Sequence, residues 1–212
     1  MAEKVRAVIL CGSPEVDRGF IENYLNDEDY IICADSGYNI AVSLGIEPDL
    51  FVGDFDSYSG DVDTGTEVIK LNTHKDDTDS MHCAEFCVKK GFKEVVLLNA
   101  SGGRLDHTIA NLSVLKYLAE KGVKAKIETA RETVQFLPSG EYTYSNLNGK
   151  TFSVIPFGCD KAVVSYEGDV EYPADNLTLD SSLVIGVSNI FRSDNVKVKI
   201  LSGAVVFIVN GF

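Results

Sequence analysis

Up to about residue 136 the apolar positions come in short, nearly unbroken runs, separated by stretches with helical periodicity. The run 5–10, interrupted only by Arg6, ends at Cys11-Gly12-Ser13-Pro14 and predicts a buried strand followed by a turn. Residues 15–26 predict a helix, 30–34 a second buried strand, and Asp35-Ser36-Gly37 the loop at its carboxyl end. A short helix over 38–44 is closed by Gly45, and strands are predicted over 50–52 and 67–71. Residues 76–80 start a helix with an apolar face of Met81, Ala84, Cys87 and Val88. Another strand, 93–99, is broken by Ala100-Ser101-Gly102-Gly103 and followed by a helix over 105–121 with Ile109, Leu112 and Leu115 toward the core. This alternation predicts an α/β domain, 1–136, on a mainly parallel, Rossmann-like sheet with helices on both faces.

Beyond about residues 135–140 the period changes. Short β-rich runs at 151–155, 162–166, 183–187, 196–201 and 205–209 are separated by turn residues, and no segment has helical periodicity. A second domain, 137–212, is expected to be a small all-β sandwich, short enough to need packing on the first domain or on a second subunit.

Composition narrows the partners. With 212 residues, 45% of them hydrophobic, the chain can bury real cores without staples. A formal net charge of −13 with no basic stripe argues against nucleic acid. The acidity favours a cationic small molecule, and makes any phosphate ligand dependent on metal ions for neutralisation. The cysteines at 11, 33, 83, 87 and 159 are odd in number and sit among apolar neighbours without a Cys-x-x-Cys, which predicts buried free thiols. The amino-terminal residues lead straight into a strand-like run and no apolar stretch reaches membrane-spanning length, so a cytoplasmic protein without a membrane partner is expected.

Four polar clusters fall on loops at the carboxyl ends of the predicted strands, where ligands of such sheets bind. In Gly53-Asp54-Phe55-Asp56-Ser57 the two carboxylates stand two residues apart, facing one side of an extended segment while Phe55 turns back. That pair suits Mg²⁺, a hard cation held by one or two carboxylates plus substrate phosphates, although an Asx-rich turn has the same composition. Lys75-Asp76-Asp77-Thr78-Asp79 reads as a helix cap with more carboxylates than a cap requires. Gly102-Gly103-Arg104-Leu105-Asp106-His107 joins a glycine pair to a helix amino terminus, which attracts phosphate; Arg104 adds a forked donor. Asp35-Ser36-Gly37 is the fourth cluster. Like charges about 4 Å apart repel by roughly 4 kcal/mol at an effective dielectric of 20, so these carboxylates and a polyphosphate require divalent metal to coexist. Phosphoryl or nucleotidyl transfer, metal-dependent phosphohydrolysis and non-catalytic nucleotide sensing all remain open at this point.

These clusters, in this order and together with Ala34, Pro48-Asp49-Leu50, Gly168-Asp169-Val170-Glu171-Tyr172-Pro173 and Gly186-Val187-Ser188-Asn189, resemble the thiamin pyrophosphokinase family over nearly the whole chain. The resemblance implies transfer of pyrophosphate from ATP to the hydroxyl of thiamin with Mg²⁺, giving thiamin diphosphate and AMP. It also implies a homodimer, with thiamin between a β domain and the partner's α/β domain. By motif match Asp54, Asp56, Asp79 and Asp106 gather metal and phosphates, Arg104 acting beside them. Asp35, Ser57, Asp76, Thr78, Gly102, Gly103 and His107 are implied on the nucleotide side, and Asp79, Tyr172, Ser188 and Asn189 on the thiamin side. Ser36 stands where the family usually has a second glycine, and Ile190 where an acidic residue is common. The chain has no Trp, which some relatives stack on thiamin, leaving Tyr172 and Phe191 as candidates.

Overall fold

The computed structural model describes residues 6–54, 65–72, 77–183 and 185–211. The chain divides into two compact units, Met1–Ala130 and Arg131–Phe212.

The first unit runs β1 (Arg6–Leu10), α1 (Arg18–Tyr24), β2 (Tyr30–Ala34), α2 (Gly37–Leu44), β3 (Leu50–Gly53), β4 (Glu67–Lys70), α3 (Asp79–Lys90), β5 (Glu94–Leu98), α4 (Leu105–Glu120) and β6 (Lys124–Glu128). Its strands lie in the order β6-β5-β1-β2-β3-β4, and the pairings between them are all parallel. Ala7, Val8, Ile9 and Leu10 have no exposed surface, so β1 is covered on both faces, as its unbroken apolar run requires. Val8 and Leu10 pack with Ile21 of α1 and with Tyr38 and Ala41 of α2, while α3 packs on β1, β2 and β3 and against α4. The chain lays down β1 to β4 toward one edge, then returns to place β5 on the other side of β1. Loops diverge at this reversal and leave a crevice beyond the strand ends.

Two helices differ from their sequence expectation. α1 is shorter, because Asp17 caps it and its carboxylate accepts from Phe20 N–H at 2.9 Å. In α4 the buried face is Asn111, Val114, Leu115 and Leu118, whereas Ile109, expected in the core, is 50% exposed.

The second unit contains β7 (Glu132–Ser145), β8 (Thr151–Pro156), β9 (Lys161–Glu167), β10 (Leu177–Asp180), β11 (Asn189–Ile190) and β12 (Asn195–Asn210). Its pairings are all antiparallel, so the expected parallel sheet describes the first unit only and the strands of the whole chain are mixed. The runs predicted over 196–201 and 205–209 are one strand, β12, with an irregularity between Ile200 and Ala204. Gly203 takes φ +76° there, and a Cβ on it would lie 2.4 Å from the Lys161 carbonyl oxygen. Before this point β12 pairs with β9, beyond it with β8, and with β7 throughout. Phe152 and Val154 of β8, Val164 of β9, Leu179 of β10, and Val198 and Phe207 of β12 meet in one core. Residues 183–187, expected as a strand, are bend and irregular backbone where described, with Leu183, Ile185 and Val187 exposed. The extended backbone instead lies in β10, just before them. Among the described residues no helix is long and apolar enough to cross a membrane.

Candidate active site

A cavity of about 280 Å³ opens at the reversal in the first unit, walled by the loops after β1, β2 and β5 and by the amino terminus of α3. The backbone there is held in conformations that few residues adopt. Asp35 (φ 45°) and Asn99 (φ 57°), the first residues beyond β2 and β5, are both left-handed. Asp35 N–H donates to the Val52 carbonyl at 2.9 Å, tying the end of β2 to β3. Asn99 Nδ2 donates to the carbonyls of Cys11 (3.2 Å) and Ser13 (2.8 Å), fixing the loop after β1 against the loop after β5. Sequence reading missed Asn99; the available signal was an Asx residue at a strand end, suited to a left-handed turn.

Gly12 and Gly37 let backbone close in. A Cβ on Gly37 would sit 2.0 Å from the Leu10 carbonyl oxygen, and one on Gly12 would sit 1.8 Å from Ser36 Oγ. Ser36 is right-handed (φ −61°, ψ −10°), so its position demands no glycine, and its side chain fills the space over Gly12.

The cavity gathers carboxylates from separate segments: Asp35 after β2, Asp77 before α3, and Asp79 in the first turn of α3. Thr78 caps α3, its Oγ1 accepting from Met81 N–H at 3.3 Å. Arg104 and His107 line the side formed by the loop after β5 and the start of α4, and Gly102 and Gly103 both take positive φ. Arg104 Nη2 lies 2.6 Å from Asp106 Oδ2, with both side chains exposed. The guanidinium and the neighbouring His107 N–H hold the Asp106 carboxyl down at about 2. Cys11 contributes a thiol to the wall, which burial pushes up to about 12, so it stays protonated. The oxygen donors that Asp35, Asp77 and Asp79 bring to the wall are carboxylates, which fit Mg²⁺, an ion that keeps waters and needs only one or two protein carboxylates beside phosphate.

Not every expected ligand converges on this cavity. Asp54 follows β3 and is half-buried, but lies outside the cavity wall. Asp56, Ser57 and Asp76 lie outside the described residues. Among the described residues no three His, Cys, Asp or Glu side chains form a ready-made metal cluster. Two unforeseen wall residues, Ser80 and Asn111, are buried polar side chains joined by a 2.8 Å hydrogen bond.

In the second unit, Ser188 is left-handed (φ 60°) and its N–H donates to Ser153 Oγ at 3.1 Å. Asn189 is buried, while Tyr172 is 63% exposed. Phe191, with no exposed surface, packs against Phe152 and belongs to the core, which removes it as a stacking candidate.

Comparison with known proteins decides the family. A family model described as "Thiamin pyrophosphokinase, catalytic domain" matches residues 21–127, just over half the chain, and one described as "Thiamin pyrophosphokinase, vitamin B1 binding domain" matches 134–205. The chain belongs to the thiamin pyrophosphokinase family. Thiamin pyrophosphokinase 1 of Caenorhabditis elegans is 26% identical over 202 residues, covering 90% of this chain and 83% of the relative. Thiamine pyrophosphokinase of Bacillus subtilis is 27% identical over 185 residues, covering 84% and 86%. The crystal structure of a Bacillus subtilis thiamine pyrophosphokinase superposes with a TM-score of 0.86 at 22% identity, covering 98% of this chain and 99% of that one. Yeast thiamin pyrophosphokinase superposes at 0.79 with 15% identity, so the family fold persists at low identity.

Proposed function

We propose that the chain is a thiamin pyrophosphokinase that uses the cavity of the first unit for ATP and the second unit for thiamin. The observation that carries this reading is the grouping of Asp35, Asp79 and Arg104 around one cavity, in a chain both of whose units match that family. On this reading the first unit is a Rossmann-like nucleotide domain and the second a thiamin-binding β-sandwich, in a cytoplasmic homodimer.

In the reaction, the hydroxyl oxygen of thiamin bonds to the β-phosphorus of ATP. The bond from that phosphorus to the α,β-bridging oxygen breaks, and the oxygen leaves with AMP. Asp79, aimed at the cavity from the first turn of α3, is our choice to accept the hydroxyl proton. Arg104 supplies a forked donor to phosphate oxygens, and the glycine loop lets phosphate approach the start of α4. Asp79, with Asp54, Asp56 and Asp106 by motif match, would hold Mg²⁺, which when bound would offset the charge of the phosphates, and Asp35 and Asp77 line the same cavity. Ser188 and Tyr172 offer the acceptor a polar group and an aromatic face.

ATP labelled at the β-phosphorus, incubated with thiamin and Mg²⁺, tests the assignment. Label should pass into thiamin diphosphate with an equal amount of unlabelled AMP. Labelled ADP with thiamin monophosphate would refute pyrophosphoryl transfer, and label only in phosphate or diphosphate would make the protein a hydrolase.

A further inference from the structure

In the cavity wall, four hydrogen bonds run in one direction through five residues. Asn111 Nδ2 of α4 donates to the Ala100 carbonyl at 2.8 Å. Its Oδ1 accepts from Ser80 Oγ of α3, also at 2.8 Å. The single Ser80 proton is thereby committed, so in the 3.0 Å contact between Thr78 Oγ1 and Ser80 Oγ the donor is Thr78. Thr78 Oγ1 in turn accepts from Met81 N–H at 3.3 Å. Every link points from the start of α3, through α4, to the loop after β5. Bonds aligned in this way polarise one another.

Two of the three inner members are well shielded, Ser80 being 8% and Asn111 6% exposed, so water competes little for the bond between them. What they join matters more than what they are. One end of the chain fixes the turn carrying Asp77 and Asp79. The other fixes Ala100, from which the backbone enters Gly102, Gly103 and Arg104. Both segments line the same cavity, one acidic and one cationic.

We propose that Ser80 and Asn111 are positioning residues of the pyrophosphoryl-transfer reaction, setting the separation of the Asp77–Asp79 turn from the Arg104 loop. The proposal rests on the reading that the cavity holds the ATP phosphates. Both functions of the Asn111 amide are used, the oxygen toward α3 and the nitrogen toward the loop. Aspartate at 111 therefore keeps the shape and the bond from Ser80, but sets a carboxylate oxygen against the Ala100 carbonyl.

The test compares Ser80→Ala, Asn111→Asp and the double variant in the full chain, with denaturant stability measured in parallel. Ser80→Ala removes a single oxygen and keeps the fold available for assay. Each single variant should lower kcat ten- to a hundredfold at saturating ATP and thiamin, with the thiamin KM within twofold of wild type. The double variant should be no slower than the worse single one, because both break one chain. Unchanged kcat in folded Ser80→Ala, or losses that multiply in the double variant, would overturn the proposal. If wild type itself yields no thiamin diphosphate, the reaction assignment fails separately. The same variants are then compared for calorimetric binding of ATP with Mg²⁺: non-multiplying losses of affinity keep the positioning role, and wild-type affinity overturns it.

Discussion

Asn189 grips Tyr172 by the backbone on both sides. Its Oδ1 accepts from Tyr172 N–H at 2.9 Å and its Nδ2 donates to the Tyr172 carbonyl at 2.7 Å; the same Oδ1 also takes Ile190 N–H at 2.8 Å. A buried amide thus holds a residue whose ring is mostly in solvent. Asn189→Ala should cost about 1–3 kcal/mol of stability, since polar backbone groups lose their partners. It should also raise the thiamin KM while leaving that for ATP near wild type. Urea titration and steady-state kinetics measure the two effects, and a variant weakened only toward ATP would place Tyr172 away from the acceptor.

Charge removal without change of shape tests the carboxylates. Asp79→Asn and Asp54→Asn should each lower turnover by a factor on the order of 10²–10³, the scale of losing one preorganised electrostatic contact. Far-ultraviolet circular dichroism should be unchanged. Rates measured across a Mg²⁺ series should show a raised metal requirement; wild-type rates at limiting Mg²⁺ would remove that residue from the metal site.

Two glycine replacements should act in opposite directions. Gly37→Ala drives a methyl group to 2.0 Å from the Leu10 carbonyl oxygen and should destabilise by about 1–3 kcal/mol or more. Gly19→Ala lies in α1, where the nearest atom to the added carbon is Asp17 Oδ1 at 3.7 Å. It should stabilise by about 0.4–1 kcal/mol, by restricting the unfolded chain. Thermal melts of the pair provide the check.

The Arg104–Asp106 pair has a definite pH signature. Asp106 is depressed from its ordinary 3.8 to about 2 in the folded protein, so its contribution to stability is complete above about 3.8 and lost as pH falls through about 2. The difference in melting temperature between wild type and Asp106→Asn should shrink across that window and stay flat from pH 5 to 8. Because the pair is exposed, added salt should reduce the difference further.

Thiol chemistry checks the interior of the first unit. Burial pushes Cys11 and Cys87 up to about 12 and raises Cys33 and Cys83 as well, whereas Cys159 in the second unit is only half-buried. An alkylating reagent at pH 8 should mark Cys159 first and the other four only on unfolding, as read by peptide mass spectrometry.

The fold was readable where burial leaves one period in the sequence. β1, β2 and β5 are covered on both faces and appear as unbroken apolar runs. β6 went unseen because Lys124, Lys126 and Glu128 occupy alternate positions, the last two forming a 2.6 Å ion pair. β7 was hidden for a related reason: its second half, from Pro138 onward, is largely exposed and carries no apolar run. Leu183, Ile185 and Val187 misled in the opposite sense, because apolar alternation can occur in a loop whose side chains face solvent. At the site, acidic and glycine clusters were visible as motifs. The links among them, Asn99 to the loop after β1 and Ser80 to Asn111, were not, since they join residues far apart in sequence through ordinary amides and hydroxyls.

β12 has a consequence for how the second unit comes into being. As it pairs with β7, β8 and β9, neither half of that unit can be completed during synthesis until residues 195–210 have left the ribosome. The partners of β12 reach back to Glu132, so these contacts close long loops and should form slowly. The first unit needs no such late arrival, the pairings among its own six strands lying within residues 6–128. A nascent chain halted shortly before residue 195 should therefore carry a protease-resistant amino-terminal unit and a cleavable remainder.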